Sequence, residues 1–262
     1  MSSHAKSVVV TGGAGGIGLA IATHYASQGH HVAILDINRS AGQAAQQAIL
    51  KDHPEAKLAF KQCSQAEAFR EIYQERGHID VVVANAGIAE SFKFVHSATT
   101  NANPSKPDFK TLDINLIGAL YRIHYLSKND ATDSKGSIVT VASDAGIYPF
   151  PAGPIYATSK HGIVGLVRAL APPLERKGIR INGLCPCVIE TNLAPDRVLF
   201  ENMVLTPMST LIRAVVDFDQ NPSTTGQLAE LHGDNVTIVP PRPYVDEDTR
   251  KNMEMFWTLG YS

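Results

Sequence analysis

Val8–Gly18 reads VVVTGGAGGIG: a β-branched run breaks off at Thr11, glycines follow, and IGLAIATHYAS then resumes with helical spacing. The string satisfies G-x-G-x-x-G at Gly13, Gly15 and Gly18, and TG-x-x-x-G-x-G at Thr11, Gly12, Gly16 and Gly18. Missing side chains let a backbone turn tightly and approach a pyrophosphate. The helix N-terminus beyond adds unpaired N–H groups and partial positive charge. A flexible turn would explain an isolated glycine string equally well. Here the string lies between a strand and a helix, and an acid, Asp36, stands eighteen residues beyond Gly18.

Asp36 closes the next β run, HHVAILDIN. A carboxylate there accepts hydrogen bonds from adenosine ribose hydroxyls and repels a 2′-phosphate, so NAD is the expected dinucleotide. Ile17 in the loop and Ile37 after the acid are expected on the same cofactor edge, and neither the loop nor position 37 carries Lys or Arg. Arg39 is the competing observation, because a nearby Arg can accommodate the phosphate of NADP.

Outward from this unit, short β-branched runs alternate with longer helix-period segments. That is the pattern of a parallel sheet covered by helices on both faces. Strands are expected near Ser7–Thr11, His31–Asp36, Lys57–Gln62, Val81–Ala84, Ser137–Val141, Arg180–Cys185 and Val236–Val239. Helices are expected near Gly16–Gln28, Ser40–Lys51, Gln65–Arg76, Phe109–Lys128, Ile155–Ala171 and Thr206–Phe218. The fold class is therefore α/β, a Rossmann-type doubly wound sheet of about seven strands. Residues 1–239 are read as one catalytic domain, and 240–262 as a tail that begins polyproline-like and ends amphipathic. Pro172 and Pro173 should end or kink the fifth helix. Two irregular stretches, Glu90–Pro107 and Cys187–Leu205, leave the carboxyl ends of strands, where ligands of open α/β sheets bind.

Composition excludes several classes. The chain has 262 residues, 44% hydrophobic and 18% charged, with formal net charge −2, and offers no basic stripe for nucleic acid or an anionic membrane. No apolar run reaches the ~20 residues of a membrane helix. The strand-like run begins after six residues, too early for a signal peptide. Cys63, Cys185 and Cys187 form no CxxC pair, and the ten His show no ligand spacing. Buried thiols in a reducing compartment, a cytoplasmic location and no catalytic metal are the expectation.

Four further motifs carry chemistry: ANAG at Ala84–Gly87, Asn115 in LDINLIG, Ser143 in VTVASDAG, and YATSK with Tyr156 and Lys160 four apart. On a helix that spacing puts phenol and ammonium on one face; His161 points elsewhere and is read as structural. A free Tyr has a pKa of about 10, so ionising near ~7 needs ~4 kcal/mol in favour of the phenolate. An ammonium in a low-dielectric cleft, helped by a cationic nicotinamide, can supply that.

With these motifs in order, the sequence resembles the short-chain dehydrogenase/reductase family over about residues 7–191. YATSKHGIVGLVRALA is similar to NAD-dependent hydroxyprostaglandin-dehydrogenase-type members and their fungal relatives. The resemblance implies Tyr156 as acid/base and Lys160 as the residue that lowers its pKa and holds the nicotinamide ribose. It implies that Ser143 orients the substrate oxygen and that Asn115 interrupts its helix and holds a water in a proton relay. Asn85, Ala86 and Gly87 would lie by the adenine, with Ser64 where the family often has Asp. Pro186, Val188 and Thr191 would line the nicotinamide end. Cys187 replaces the usual Gly after Pro186, and a positive φ there would strain it.

The expected reaction is hydride transfer between NAD (NADP as the alternative) and a secondary alcohol or ketone. A redox-silent nucleotide-binding regulator and a non-redox cyclase or isomerase are the alternatives on the same fold. Phe92, Phe94, Tyr148, Phe150, Leu199, Phe200, Met203 and Met208 suggest a bulky apolar substrate. Phe256 and Trp257 are expected to dock the tail nearby. A homodimer or homotetramer, built on the helices near Phe109–Lys128 and Ile155–Ala171, is implied by the resemblance.

Overall fold

A computed structural model describes residues 4–62, 65–90, 108–127, 136–193 and 197–259. Its centre is one eight-stranded sheet in the order β3-β2-β1-β4-β5-β6-β7-β8. The strands are β1 (Ser7–Thr11), β2 (His31–Asp36), β3 (Lys57–Gln62), β4 (Val81–Ala84), β5 (Ser137–Val141), β6 (Arg180–Pro186), β7 (Leu228–His232) and β8 (Asn235–Ile238). All neighbours pair in parallel except β7 and β8, which are antiparallel.

β1, β4 and β5 are buried at every position because helices cover both faces. Alternation along β1 separates the two cores: Val9 packs with Ile123, Ile163 and Val167, whereas Val8 and Val10 pack with Ile21, Leu211 and Val215. The first face is covered by α3 (Gln65–Arg76), α5 (Gly118–Ser127) and α6 (Pro154–Glu175). The second is covered by α1 (Gly16–Ser27), α2 (Arg39–Asp52) and α7 (Met208–Gln220).

Three differences from the sequence reading stand out. The sheet has an eighth strand, because LAELH at β7 is short, carries Glu230, and hands over to β8 through Gly233 at φ 54°. The helix expected over Phe109–Lys128 is in three pieces: α4 (Lys110–Leu112), a π turn at Asp113–Ile117, and α5. α6 continues through Pro172 and Pro173 to Glu175. The prolines fall in its last turn, where each forfeits one amide bond to the preceding turn but only Leu174 and Glu175 follow in the helix.

The tail is tied to α6 at its start, where Arg168 Nη2 donates to the Pro240 carbonyl at 3.1 Å. It ends in α8 (Glu247–Thr258), of which no residue is buried; Phe256 and Trp257 are 56% and 41% exposed, not docked on the domain. α8 supports itself locally: Asp246 caps the Thr249 amide, and Arg250 pairs with Glu247 and Glu254.

Candidate active site

The strand order reverses between β1 and β4, and a cleft of about 540 Å3 opens there at the carboxyl ends of the strands. Its two ends are built differently. At one end the walls are backbone. Gly12 lies at φ 64°, and a Cβ there would meet Ala86 Cα at 2.7 Å; at Gly18 a Cβ would meet the Gly12 carbonyl at 2.2 Å. These glycines let the loop lie against the end of β4. Thr11 and Asn85 fasten the two strand ends together: the Asn85 amide donates to Thr11 Oγ1 at 3.1 Å and Asn85 Nδ2 to the Thr11 carbonyl at 3.0 Å. A Cβ on Gly15 would meet no atom within 4 Å. The loop therefore leaves room at the start of α1 for a phosphate group, and the residues present fit a dinucleotide.

Asp36 reaches the same cleft, accepting from the Ala14 amide at 3.2 Å and the Asn38 amide at 3.0 Å. Gly12, Gly16, Ile17, Asn85, Ala86 and Gly87 line it, as do Pro186 and Thr191 further along. Gly18 instead packs beneath the loop, Ile37 is 75% exposed beside Asp36, and Val188 turns its carbonyl to the Thr206 amide at 2.7 Å; none of the three lines the cleft. Ser64 lies outside the described residues, as do Phe92, Phe94 and the side chain of Leu199.

The other end of the cleft holds Ser143, Tyr156 and Lys160. Lys160 is buried, its Nζ donating to the Val141 carbonyl at 2.9 Å and standing 5.5 Å from the centre of the Tyr156 ring. Burial pulls the Lys160 ammonium down to about 8, with the Arg122 charge acting in the same direction. Burial pushes the Tyr156 phenol up; a hydrogen bond from Ser143 pulls it down and the Asp144 charge pushes it up again. Lys160 alone therefore does not bring this phenol toward neutrality.

Asn115 lies behind the cleft on the π turn, where its side chain brackets Ile88: Oδ1 accepts from the Ile88 amide at 2.8 Å and Nδ2 donates to the Ile88 carbonyl at 3.0 Å. Nδ2 also donates to Ser159 Oγ at 3.1 Å, joining this loop to α6. A π turn holds one residue more than an α turn and takes a main-chain carbonyl out of the usual ladder.

Three residues of the site were not singled out in the sequence. Glu90 Oε2 accepts from the Ile155 and Tyr156 amides at 2.8 and 3.0 Å, so it caps α6 from another segment where Gly153 supplies no cap. Arg122, fully buried, donates from Nη1 to the Ala86 carbonyl at 3.3 Å. Asp144 accepts from Ser143. A Glu in a loop and an Arg in a helix read as surface, and Asp144, although inside VTVASDAG, is passed over for the serine before it. Cys187 lines the cleft, and no non-glycine among the described residues has a positive φ, so the strain expected there is absent.

The fold and site define a dinucleotide-type cleft that ends on a Ser-Tyr-Lys group, the arrangement of a short-chain oxidoreductase. The chain belongs to the short chain dehydrogenase family, which it matches over residues 6–201. It is 34% identical over 215 residues to human 15-hydroxyprostaglandin dehydrogenase [NAD(+)], covering 78% of this chain and 75% of that one. It is 30% identical over 187 residues to the short-chain dehydrogenase/reductase prx7 of Penicillium rubens, covering 68% and 66%. Among solved structures, levodione reductase superposes with a TM-score of 0.78 at 26% identity, covering 87% of this chain and 96% of that one.

Proposed function

We propose that the protein transfers a hydride between NAD and a secondary alcohol or ketone on a bulky apolar molecule. The observation that carries this reading is the continuity of one cleft from Asp36 and the glycine loop to Ser143, Tyr156 and Lys160. When bound, the nicotinamide supplies the hydride acceptor or donor, and its positive ring adds the charge that favours the phenolate. Tyr156 Oη takes the alcohol proton in oxidation and returns it in reduction. Ser143 fixes the substrate oxygen beside it. Lys160 holds the cofactor ribose, and the main chain of the π turn at Asn115 holds the water that carries the proton onward.

Support for an apolar substrate comes from the rim. Phe150 packs edge-on to Tyr156, ring centres 6.0 Å apart, and Ile88 and Leu193 line the cleft. Met208, by contrast, packs against the core. Asp36 supports NAD, while Arg39 is exposed at the start of α2. A homodimer or homotetramer contact is proposed on Ile117, at the end of the π turn, and Leu120 and Tyr121, at the start of α5, all exposed.

The test measures nicotinamide absorbance with NAD and NADP across hydrophobic and small polar secondary alcohols. Higher kcat/KM for the hydrophobic set with NAD is the expected result. A preference for the polar set rejects the apolar reading, and a preference for NADP assigns the phosphate to Arg39.

A further inference from the structure

Asp144 directly follows the reactive serine, and no step above uses it. Its Oδ1 accepts from the Ser143 hydroxyl at 2.9 Å and from the Ala145 amide at 2.7 Å. The Cys187 thiol, just past the end of β6, hydrogen-bonds to the same carboxylate. The Ala145 amide also donates to Ser143 Oγ at 3.2 Å. Ser143 is thereby fixed from two sides, and the direction of its bonds matters. A hydroxyl has one proton to give. Here it points at a carboxylate, a stronger acceptor than a neutral phenol. While that proton is given to Asp144 it cannot also be given to the Tyr156 oxygen, which the same hydroxyl reaches.

A phenolate at Tyr156 would need that same proton as its hydrogen bond. Two acceptors thus compete for it, and Asp144 holds it in this structure. The charge of Asp144 adds an effect of the same sign, since a nearby anion disfavours a second one. We propose that Asp144 is a positioning residue that sets the pH at which Tyr156 ionises, by drawing the Ser143 proton away from the phenol oxygen and by its own charge. The inference rests on Tyr156 being the acid/base.

The other charged and titratable groups around the phenol do different things. Lys160 on α6 lies beneath the ring and is hydrogen-bonded to Val141, with Arg122 on α5 acting on that ammonium. Cys185 on β6 is buried, and its thiol is pushed up to about 12 by burial. Glu90 spends Oε2 on the amides of α6, and Glu230 on β7 accepts from the Tyr148 hydroxyl at 2.9 Å. Among the described residues, Asp144 is the carboxylate that takes the serine proton.

The test is a pH titration of phenolate absorbance in the full-length enzyme with NAD, each trace referenced to the same protein carrying Tyr156→Phe. Asp144→Asn removes the charge and should lower the Tyr156 midpoint by about one pH unit. Asp144→Glu, which keeps charge and acceptor, should stay near the wild-type midpoint. Asp144→Ser serves in place of Asn if that variant does not fold. A midpoint unchanged or raised in the uncharged variant overturns the proposal. The titration needs no substrate, so an incorrect substrate class leaves it readable. With a working alcohol, the rising limb of kcat/KM should move by the same amount.

Discussion

At the amino end of the sheet, Asp219 Oδ2 accepts from Lys6 Nζ at 2.7 Å and from the Tyr25 hydroxyl at 3.0 Å. At the carboxyl end, Tyr156 and Lys160 share a wall of the cleft, and the carboxylate, Asp144, is reached through Ser143. Both places hold a tyrosine, a lysine and an aspartate, and the second is where we propose proton transfer. Tyr25 donates straight to a carboxylate, and burial with the Asp219 charge holds its phenol well above the usual range. Arg180 completes that group by bonding the Phe218, Asp219 and Asn221 carbonyls. Charges there satisfy one another and hold α7 to the start of β6. At the other end the ammonium bonds to a main-chain carbonyl, and no carboxylate among the described residues pairs with it. A perturbed ionisable group marks chemistry where its neighbours leave the proton mobile, and architecture where they lock it.

The contrast predicts opposite failures. Tyr156→Phe should lower kcat by about 10³-fold, or ~4 kcal/mol of barrier, while leaving stability and NAD affinity nearly unchanged. Steady-state kinetics with a cofactor titration checks this; near-normal turnover would break the comparison at its active end. Asp219→Ala should do the reverse. It strands Lys6 and Tyr25 and should cost about 2–3 kcal/mol, less than a fully buried pair because the Lys6 side chain is 25% exposed. Denaturant unfolding measures that loss, and turnover per folded molecule should not change.

Glu90 lies between these extremes, since it caps the helix that carries Tyr156, the proposed acid/base. Glu90→Ala frees two amides at the start of α6. It should cost about 1 kcal/mol of stability and about tenfold in kcat, with little change in cofactor affinity. Glu90→Gln, which keeps an acceptor oxygen, should restore most of both. Thermal unfolding run beside kinetics sharpens the comparison, because equal losses in the Gln and Ala variants would mean that the carboxylate charge, rather than the cap, is what counts.

What was legible in the chain follows a physical divide. Val8–Gly18, Asp36 and the Tyr156–Lys160 spacing express local rules: period, turn geometry and helix face. The strands they imply agree with the structure closely through β6. Glu90, Arg122 and Asp144 act through folded neighbours far away in sequence or through one hydroxyl rotor, and no local rule reports such contacts. β7 was missed for a related reason. Its five residues gain their meaning by pairing Leu228 opposite Gly183, a partner far upstream. Likewise, the length of α6 is decided by packing, which buries Ala171 and Leu174 on either side of the prolines.

The pairing of β1 also orders events in time. Val8 aligns with Val32 on one side and with Val81 on the other. On a growing chain, the first neighbour emerges soon after β1, but the second arrives only after α2, β3 and α3 have been made. Until then one edge of a strand that is buried throughout in the folded protein is open to other chains, a hazard of parallel sheets with distant partners. The glycine loop at the end of β1 shares that delay, because its resting place is Ala86, just past the late strand. The dinucleotide cleft is therefore a product of the second docking event. A nascent chain arrested before β4 would hold the whole glycine motif and have no cleft in which to use it.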